Sequence, residues 1–312
     1  MLTNHRLTVA GRRQLTEDVV SVELSSPNSD PLPDWTPGAH VTVHISESVS
    51  REYSLCGGLN NPASWTLAVR RCVDSRGGSS YVHDRLDVGT TVTVTGPRNH
   101  FELADAPDYV FIAAGIGITP ILPMIEHVHR LNKSWSCVFL GRTAESMPFR
   151  SELVDRYPGN VEVHTSHEGG RYDIAGLVND IDRGTAVYAC GPESLICDLE
   201  KLCQERDLGL HVERFTPKVV DREPQPFDVE IAGTDTVLHV PADRSMLDVL
   251  YDADLDIMSS CEEGTCGTCE VRVVSGVVDH RDSVLTPAQQ QENSCMMPCV
   301  SRSCGSRLVI EL

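Results

Sequence analysis

The sequence has no apolar run long enough to cross a bilayer. Its longest, from Tyr109 to Ile118, holds two glycines and runs into Thr119-Pro120, short of the roughly 20 residues a spanning helix needs. The opening MLTNHRLTVAGRR lacks the apolar core of a secretory signal, so the expected location is the cytoplasm, with no membrane partner. Positive charge is scarce as well. Lysine and arginine number 26 against 45 acids, a formal charge of −19, which argues against nucleic acid, whose phosphates demand basic residues. An acidic surface suits a basic protein partner, though acidity also simply keeps an enzyme soluble. No internal repeat and no low-complexity tract occurs, and 312 residues suit two or three domains of about 100 each.

Cysteine, by contrast, is abundant. In a reducing compartment the twelve cysteines are not expected to form disulfides, and a cluster of them reads as metal ligation or redox chemistry. Five lie between Cys261 and Cys299, and Cys261-x4-Cys266-x2-Cys269, followed after twenty-nine residues by Cys299, has the plant-type ferredoxin spacing. Two ferric ions bridged by sulfide need four soft anionic donors at tetrahedral sites. Gly264 and Gly267 let the backbone turn tightly so that amides point at sulfur, and Ser260 and Thr268 can add donors. Zinc is the competing metal, but zinc ribbons present two CxxC pairs and this loop has one. Cys295 and Cys304 compete with Cys299 for the fourth ligand position. Cys56, Cys72, Cys137, Cys197 and Cys203 are expected to be inert core residues.

Three regions follow from the periodicity. Residues 1–105 read as short alternating strands punctuated by Gly, Pro and Asn, an antiparallel β-barrel with one helix at 79–86. From 106 to 215, buried-type strands at 108–114, 136–141, 160–165, 186–190 and 209–213 alternate with helices at 119–131, 149–156, 173–180 and 193–207. That alternation predicts an α/β doubly wound parallel sheet with ligands at the carboxyl ends of its strands. A polar, Pro-bearing linker at 216–225 leads to 226–312: a hairpin, a helix at about 245–251, the cysteine loop, the strand CEVRVVSG and a closing strand SRLVIEL.

Two motifs mark the first region. In Arg51-x-Tyr53-Ser54-Leu55 a guanidinium can clamp a phosphate, a tyrosine ring can pack on a flavin, and a serine hydroxyl can hydrogen-bond its N5; an ordinary strand with an exposed arginine is the alternative. In Arg76-Gly77-Gly78-Ser79-Ser80 glycines run into a helix start, the arrangement of a phosphate site or of a simple N-cap. In the second region Ala114-Gly115-Ile116-Gly117-Ile118-Thr119-Pro120 opens a helix after a buried strand, and Cys190-Gly191-Pro192-Glu193 does the same later. Two glycine-bearing strand ends in one doubly wound unit imply a dinucleotide crevice. Arg142-Thr143 can meet the adenosine ribose or stand as a solvated loop. Ser54 and Cys190 are the catalytic candidates, although hydride and electron transfer strictly require no side-chain acid or base, and Cys190 is equally a packing residue.

Taken in order, REYSL, RGGSS, AAGIGITP, YACGPES and CEEGTCGTC resemble the phthalate dioxygenase reductase family, vanillate demethylase reductases included, over nearly the whole chain. The resemblance implies an FMN barrel, then a NADH domain, then a plant-type [2Fe–2S] ferredoxin of β-grasp fold, feeding a terminal oxygenase of the Rieske type. Arg51, Tyr53, Ser54, Ser79 and Ser80 would hold FMN, while Gly115, Gly117, Thr119 and Cys190-Gly191-Pro192 would face the nucleotide. The segment MPCVSR favours Cys299 as fourth ligand. Ala114 stands where a glycine is frequent, Arg142 leaves NADH against NADPH open, and FAD relatives share the Arg-x-Tyr-Ser pattern. An FAD reductase serving a cytochrome P450 is the second reading; a redox-sensing or zinc-stabilised binding module without turnover is the reading from another class. Electron transfer requires only a monomer. From Pro224 onward fifteen acids face five arginines, a charge of −10, suited to a basic face on the oxygenase.

Overall fold

The computed structural model describes residues 3–46, 49–59, 61–72, 77–218 and 220–312. It divides into one compact unit through Glu213 and a second from Arg214. Among the described residues no helix is long and apolar enough to cross a membrane.

The first unit begins with six antiparallel strands, β1 (Asn4–Gln14), β2 (Val19–Ser25), β3 (His40–His44), β4 (Ser50–Ser54), β5 (Ser64–Arg70) and β6 (Thr91–Arg98), in the order β4-β3-β6-β1-β2-β5. A bridge from Leu55 to Leu67 links the two edges and closes the barrel. The alternation of apolar and polar residues sends Leu7, Val9, Val41, Val43, Val92 and Val94 inward, each fully buried aliphatic chain contributing about 1.5–3 kcal/mol. Helix α1 (Gly78–Arg85) covers this core with Val82.

Five parallel strands follow: β7 (Asp108–Ala114), β8 (Ser134–Gly141), β9 (Val161–Thr165), β10 (Ala186–Cys190) and β11 (Leu210–Glu213), in the order β11-β10-β7-β8-β9. They are connected by α2 (Ile118–Arg130), α3 (Arg150–Arg156), the single turn α4 (Ser166–Gly169), α5 (Ile174–Asp180) and α6 (Glu193–Arg206). Strand β7 is apolar on both faces because each face meets a core. Tyr109, Phe111 and Ala113 enter one, while Val110, Ile112 and Ala114 enter the other, as expected of a parallel strand covered on both sides. The chain grows outward from β7 through β8 and β9, then crosses back to β10, so the topological switch falls at the carboxyl ends of β7 and β10.

The second unit holds β12 (Phe227–Ile231), β13 (Val237–Val240), α7 (Met246–Asp252), β14 (Val271–Ser275), β15 (Val278–Asp279), α8 (Pro287–Glu292), β16 (Cys295–Met296), β17 (Arg302–Ser303) and β18 (Arg307–Glu311). Its main sheet runs β13-β12-β18-β14-β16, with β12 and β18 parallel, and β15 pairs with β17. Helix α7, capped reciprocally by Ser245 and Asp248, buries Met246, Val249 and Leu250 against the sheet, which is the β-grasp arrangement. Most of the predicted linker's second half is tied to this unit. Arg302, itself buried, donates to the carbonyls of Gln225 (3.0 Å), Pro241 (2.7 Å) and Arg244 (2.8 Å), and Arg222 pairs with Asp279. Val219, within that linker, lies outside the described residues.

Candidate functional site

Cys261, Cys266 and Cys269 occupy the loop between α7 and β14, and Cys299 follows β16; all four are buried. The loop turns through positive φ at Glu262 (57°), Gly264 (70°) and Gly267 (71°), a backbone region cheap only for glycine. A Cβ on Gly264 would also stand 2.5 Å from Val300 Cγ2. These turns aim amides at sulfur: Glu263 and Thr265 donate to Cys261 Sγ at 3.3 and 3.4 Å, and Thr268 donates to Cys266 Sγ at 3.5 Å. The hydrogen bond from Cys266, with help from Thr265 and the two amides, pulls the Cys261 thiol down to about 5 against the opposing effect of burial.

The thiols form two pairs. Cys261 touches Cys266, and the sulfurs of Cys269 and Cys299 are 3.3 Å apart. Among the described residues no three His, Cys, Asp or Glu side chains gather around one point. Two iron ions with two thiolates each match this pairing, whereas one structural zinc asks four donors to surround a single ion. The donor set fits a [2Fe–2S] cluster. Of the rivals, Cys295 lies in β16 opposite Arg272 and Cys304 is exposed.

In the first unit the two barrel motifs meet. A Cβ on Gly78 would lie 2.5 Å from Arg51 Cγ, so the missing side chain lets the start of α1 close on the arginine. Gly77 caps α1 at φ 95°, and the Ser79 hydroxyl accepts from the Cys72 amide at 3.0 Å; Ser80 occupies the same turn. Arg76 lies outside the described residues. The residue inside the strand motif, Glu52, accepts from Thr42 Oγ1 (2.9 Å) and Arg98 Nη2 (3.3 Å), pinning β4 to its neighbours from the opposite side. Tyr53 packs against the barrel core, and burial pushes its phenol above the ordinary value. Leu55 is fully buried. A strand-borne guanidinium beside the backbone of a helix start can hold a phosphate.

The two glycine turns also meet. A Cβ on Gly117 would strike the Cys190 carbonyl oxygen at 2.2 Å, and one on Gly191 would lie 2.9 Å from Ala114 Cβ. Gly115 opens the turn at φ 54°. Thr119 and Pro120 are buried in the first turn of α2, and the Thr119 hydroxyl donates to the Ile116 carbonyl at 2.9 Å, stabilising the turn itself. A cavity of about 830 Å³ opens along the ends of β7, β8 and β9, with Gly115, Arg142 and Pro192 in its wall. Its position matches the crevice where doubly wound sheets bind dinucleotides.

One group escaped the sequence reading. Glu213 ends β11 in register with Cys190, and its carboxylate accepts from Ser54 Oγ at 3.4 Å. Although the residue keeps some surface, its carboxyl is enclosed enough for burial to push it up to about 8. Burial raises the Cys190 thiol well above its usual value, and the neighbouring Glu213 charge adds to that. Cys190 is thus a neutral thiol, and Ser54, Cys190 and Glu213 form one polar group between the barrel and the parallel sheet. In the second unit Asp282, also unforeseen, accepts from the amides of Val284 (3.2 Å) and Leu285 (2.9 Å) and from the Ser301 hydroxyl (3.1 Å). Its neighbour Ser283 donates to the Gly264 carbonyl at 2.8 Å. The inert-core expectation needs one correction: Cys56, Cys137 and Cys203 are buried, but Cys72 and Cys197 are exposed, on a segment leaving β5 and on the outer face of α6.

No simple dehydrogenase needs a thiol-lined β-grasp unit, and no free-standing ferredoxin needs a doubly wound sheet. A chain with both falls in the class of electron-transfer reductases that carry their own iron–sulfur unit. Residues 229–304 match the family model described as a 2Fe-2S iron-sulfur cluster binding domain. The chain is 35% identical to the carnitine monooxygenase reductase subunit of Escherichia coli K12, covering 96% of this chain and 95% of that one. It is 34% identical to the phthalate dioxygenase reductase of Burkholderia cepacia, over 98% and 97%. The solved phthalate dioxygenase reductase, described as a modular structure for electron transfer from pyridine nucleotides to [2Fe–2S], superposes with a TM-score of 0.72 at 34% identity over 99% of this chain and 98% of that one. An intact type IV self-sufficient cytochrome P450 monooxygenase superposes at 0.92 with 39% identity, and there the chain covers 99% of itself but spans only 41% of the monooxygenase. The chain belongs to the phthalate dioxygenase reductase family.

Proposed function

We propose that this chain is the reductase component of a multicomponent oxygenase, passing electrons from NADH, with NADPH as the alternative donor, through FMN to a [2Fe–2S] cluster and on to a Rieske-type oxygenase. The observation that carries it is the pairing of Cys261 with Cys266 and of Cys269 with Cys299 in a chain that also has a dinucleotide crevice. A bound flavin supplies the conversion between a two-electron hydride donor and a one-electron cluster. The residues do the rest by positioning. Arg51, with the backbone of Gly77 and Gly78 and the hydroxyls of Ser79 and Ser80, holds the flavin phosphate; Tyr53, Ser54 and Leu55 flank its ring. Gly115, Gly117 and the start of α2 at Thr119-Pro120 receive the nucleotide pyrophosphate, Arg142 the adenosine end, and Cys190-Gly191-Pro192 the nicotinamide. The neutral Cys190 thiol and the Glu213 carboxyl furnish polar contacts without a fixed charge beside Ser54. The functional domains run 1–105, 106–215 and 226–312, joined by 216–225, in a cytoplasmic monomer.

Purified protein should be coloured, contain acid-labile sulfide, and reduce an artificial acceptor with NADH; a colourless protein holding zinc would refute the reading. Flavin released by heat should chromatograph as FMN. The likeness to a self-sufficient P450 favours one second reading, a P450 as the electron acceptor, with FAD as its flavin. Reconstitution with each type of oxygenase separates the two. The acidic second unit predicts turnover that falls as salt rises.

A further inference from the structure

Asp282 is wholly buried, and among the described residues no lysine or arginine pairs with it. Its partners are the amides of Val284 and Leu285, the Ser301 hydroxyl and the imidazole of His280, whose Nδ1 stands 3.5 Å from Asp282 Oδ1. Burial alone would raise the Asp282 carboxyl, but the contacts from His280, Leu285 and Ser301 hold it below the usual range. An enclosed anion of this kind persists only where its neighbours compensate it.

The His280 side chain keeps only 7% of its surface, and its Nε2 is buried without a hydrogen-bond partner among the described residues. Asp282 on the Nδ1 side places the proton of the neutral ring on Nδ1 and leaves the lone pair on Nε2, the arrangement of a base oriented by a carboxylate. The charges flanking the ring pair among themselves. Asp279 in β15 pairs with Arg281 at 2.7 Å and with Arg222 from the preceding segment, Arg281 also reaches the Glu223 carbonyl, and Arg302 in β17 engages three carbonyls. The cysteine loop and the Cys299 segment meet Asp282 and Ser283 with neutral groups, the Gly264 carbonyl and the Ser301 hydroxyl.

Those two neutral contacts tie the pair to both ligand-bearing segments. A Cβ on Gly264, between Cys261 and Cys266, would stand 3.2 Å from Asp282 Cα, and Ser301 lies two residues past Cys299. An imidazolium on His280 offsets the Asp282 charge and favours an arriving electron, whereas a neutral imidazole leaves the carboxylate opposing it.

We infer that His280 is a proton-linked positioning residue for the cluster, acting through Asp282: it takes up a proton when the cluster takes an electron. This rests on the iron–sulfur reading above. One electron arrives from the flavin and one proton from solvent at His280 Nε2; on reoxidation the electron leaves to the oxygenase and the proton returns to solvent.

The test is the midpoint potential of the cluster in the holoprotein, read from its electron paramagnetic resonance signal in redox titrations at several pH values. Imidazole changes charge between about pH 5 and pH 8. Across that range the potential should fall by at least about 59 mV, a tenfold change in the reduced-to-oxidised ratio for one electron. His280→Gln, which keeps a donor for Asp282 and cannot take the proton, should give a potential that no longer moves with pH. A flat wild-type potential, or a His280→Gln protein that keeps the wild-type slope, would overturn the inference while leaving the cluster in place. Should His280→Gln fail to hold a cluster, Asp282→Asn serves instead: loss of the slope supports the coupling, and an unchanged slope refutes it. Wild-type protein without acid-labile sulfide would overturn the iron–sulfur reading and this inference together.

Discussion

Replacing Glu213 by glutamine should remove a pH dependence that the wild-type fold carries. Burial raises this carboxyl from 4.5 to about 8, opposed by the Ser54 hydrogen bond. A group whose pKa is raised on folding gives its full contribution below the unfolded value, and that contribution is lost as pH climbs through the folded value. The window therefore runs from about 4.5 to about 8. At roughly 1.36 kcal/mol per unit, a wholly enclosed carboxyl would cost about 5 kcal/mol across it. Glu213 keeps some surface, so about half, ~2–3 kcal/mol, is the reasonable magnitude. Glutamine matches the neutral acid in shape and in its ability to donate. The stability of the Glu213→Gln protein relative to wild type should thus rise by ~2–3 kcal/mol between pH 5 and pH 8.5 and level off above it. Urea titrations of the flavin-loaded proteins at several pH values, followed by circular dichroism, measure this difference. Two curves that stay parallel across the window would show that the carboxyl titrates normally and that Glu213 is not the neutral partner of Ser54 and Cys190.

Gly78→Ala would place a methyl 2.5 Å from Arg51 Cγ; flavin affinity by fluorescence titration should fall at least tenfold, and unchanged affinity would mean that the two barrel motifs serve different purposes. Asp282→Asn removes a buried negative charge beside the strut that holds Gly264, so the cluster should become easier to reduce by a positive shift of order 60 mV, tenfold for one electron; an unmoved potential in a spectroscopic redox titration rejects that role. Arg302→Ala removes the hydrogen bonds of a buried guanidinium to the carbonyls of Gln225, Pro241 and Arg244, charge-assisted bonds each worth about 1.5 kcal/mol, and should cost the second unit about 3–5 kcal/mol. A loss below about 1 kcal/mol in thermal or urea unfolding would show that water replaces the guanidinium.

How much of this was legible beforehand depends on how local each signal is. The parallel strands were readable because a strand covered on both faces is apolar throughout: DYVFIAA announces itself, and β7 occupies Asp108–Ala114 as expected. The helices behind it were readable from periodicity, with α6 at Glu193–Arg206 within a residue of the 193–207 reading. Helix α8 was missed because PAQQQE has no apolar stripe. Its one signal was the Thr286–Gln289 capping box with Pro287 at the first turn, chemistry that marks a helix start even where no core face exists. Strands β15, β16 and β17 are two residues each, too short for any alternation to register.

The same distinction divides the site. Three of the four candidate cluster thiols fall within nine residues of chain, so their spacing points to tight turns around a metal, and the fourth follows β14, β15, the short helix α8 and β16. Arg51 and Gly78 are twenty-seven residues apart, yet each belonged to a motif with a phosphate-binding rationale of its own. Glu213 had none. In HVERFT it is a polar residue at the end of a strand, and its significance arises only because β11 lies beside β10, which aligns it with Cys190, and because the barrel strand β4 brings in Ser54 from 159 residues away. Asp282 is the parallel case in the second unit, a carboxylate whose work is to order amides and to place Ser283 under Gly264. Residues that touch a ligand tend to sit in compact glycine- or cysteine-bearing turns that sequence displays. Those that set the charge and rigidity around the ligand are recruited through tertiary pairing, so a carboxylate with no motif of its own becomes, once the sheet order is known, the group aligned with Cys190 and hydrogen-bonded to Ser54.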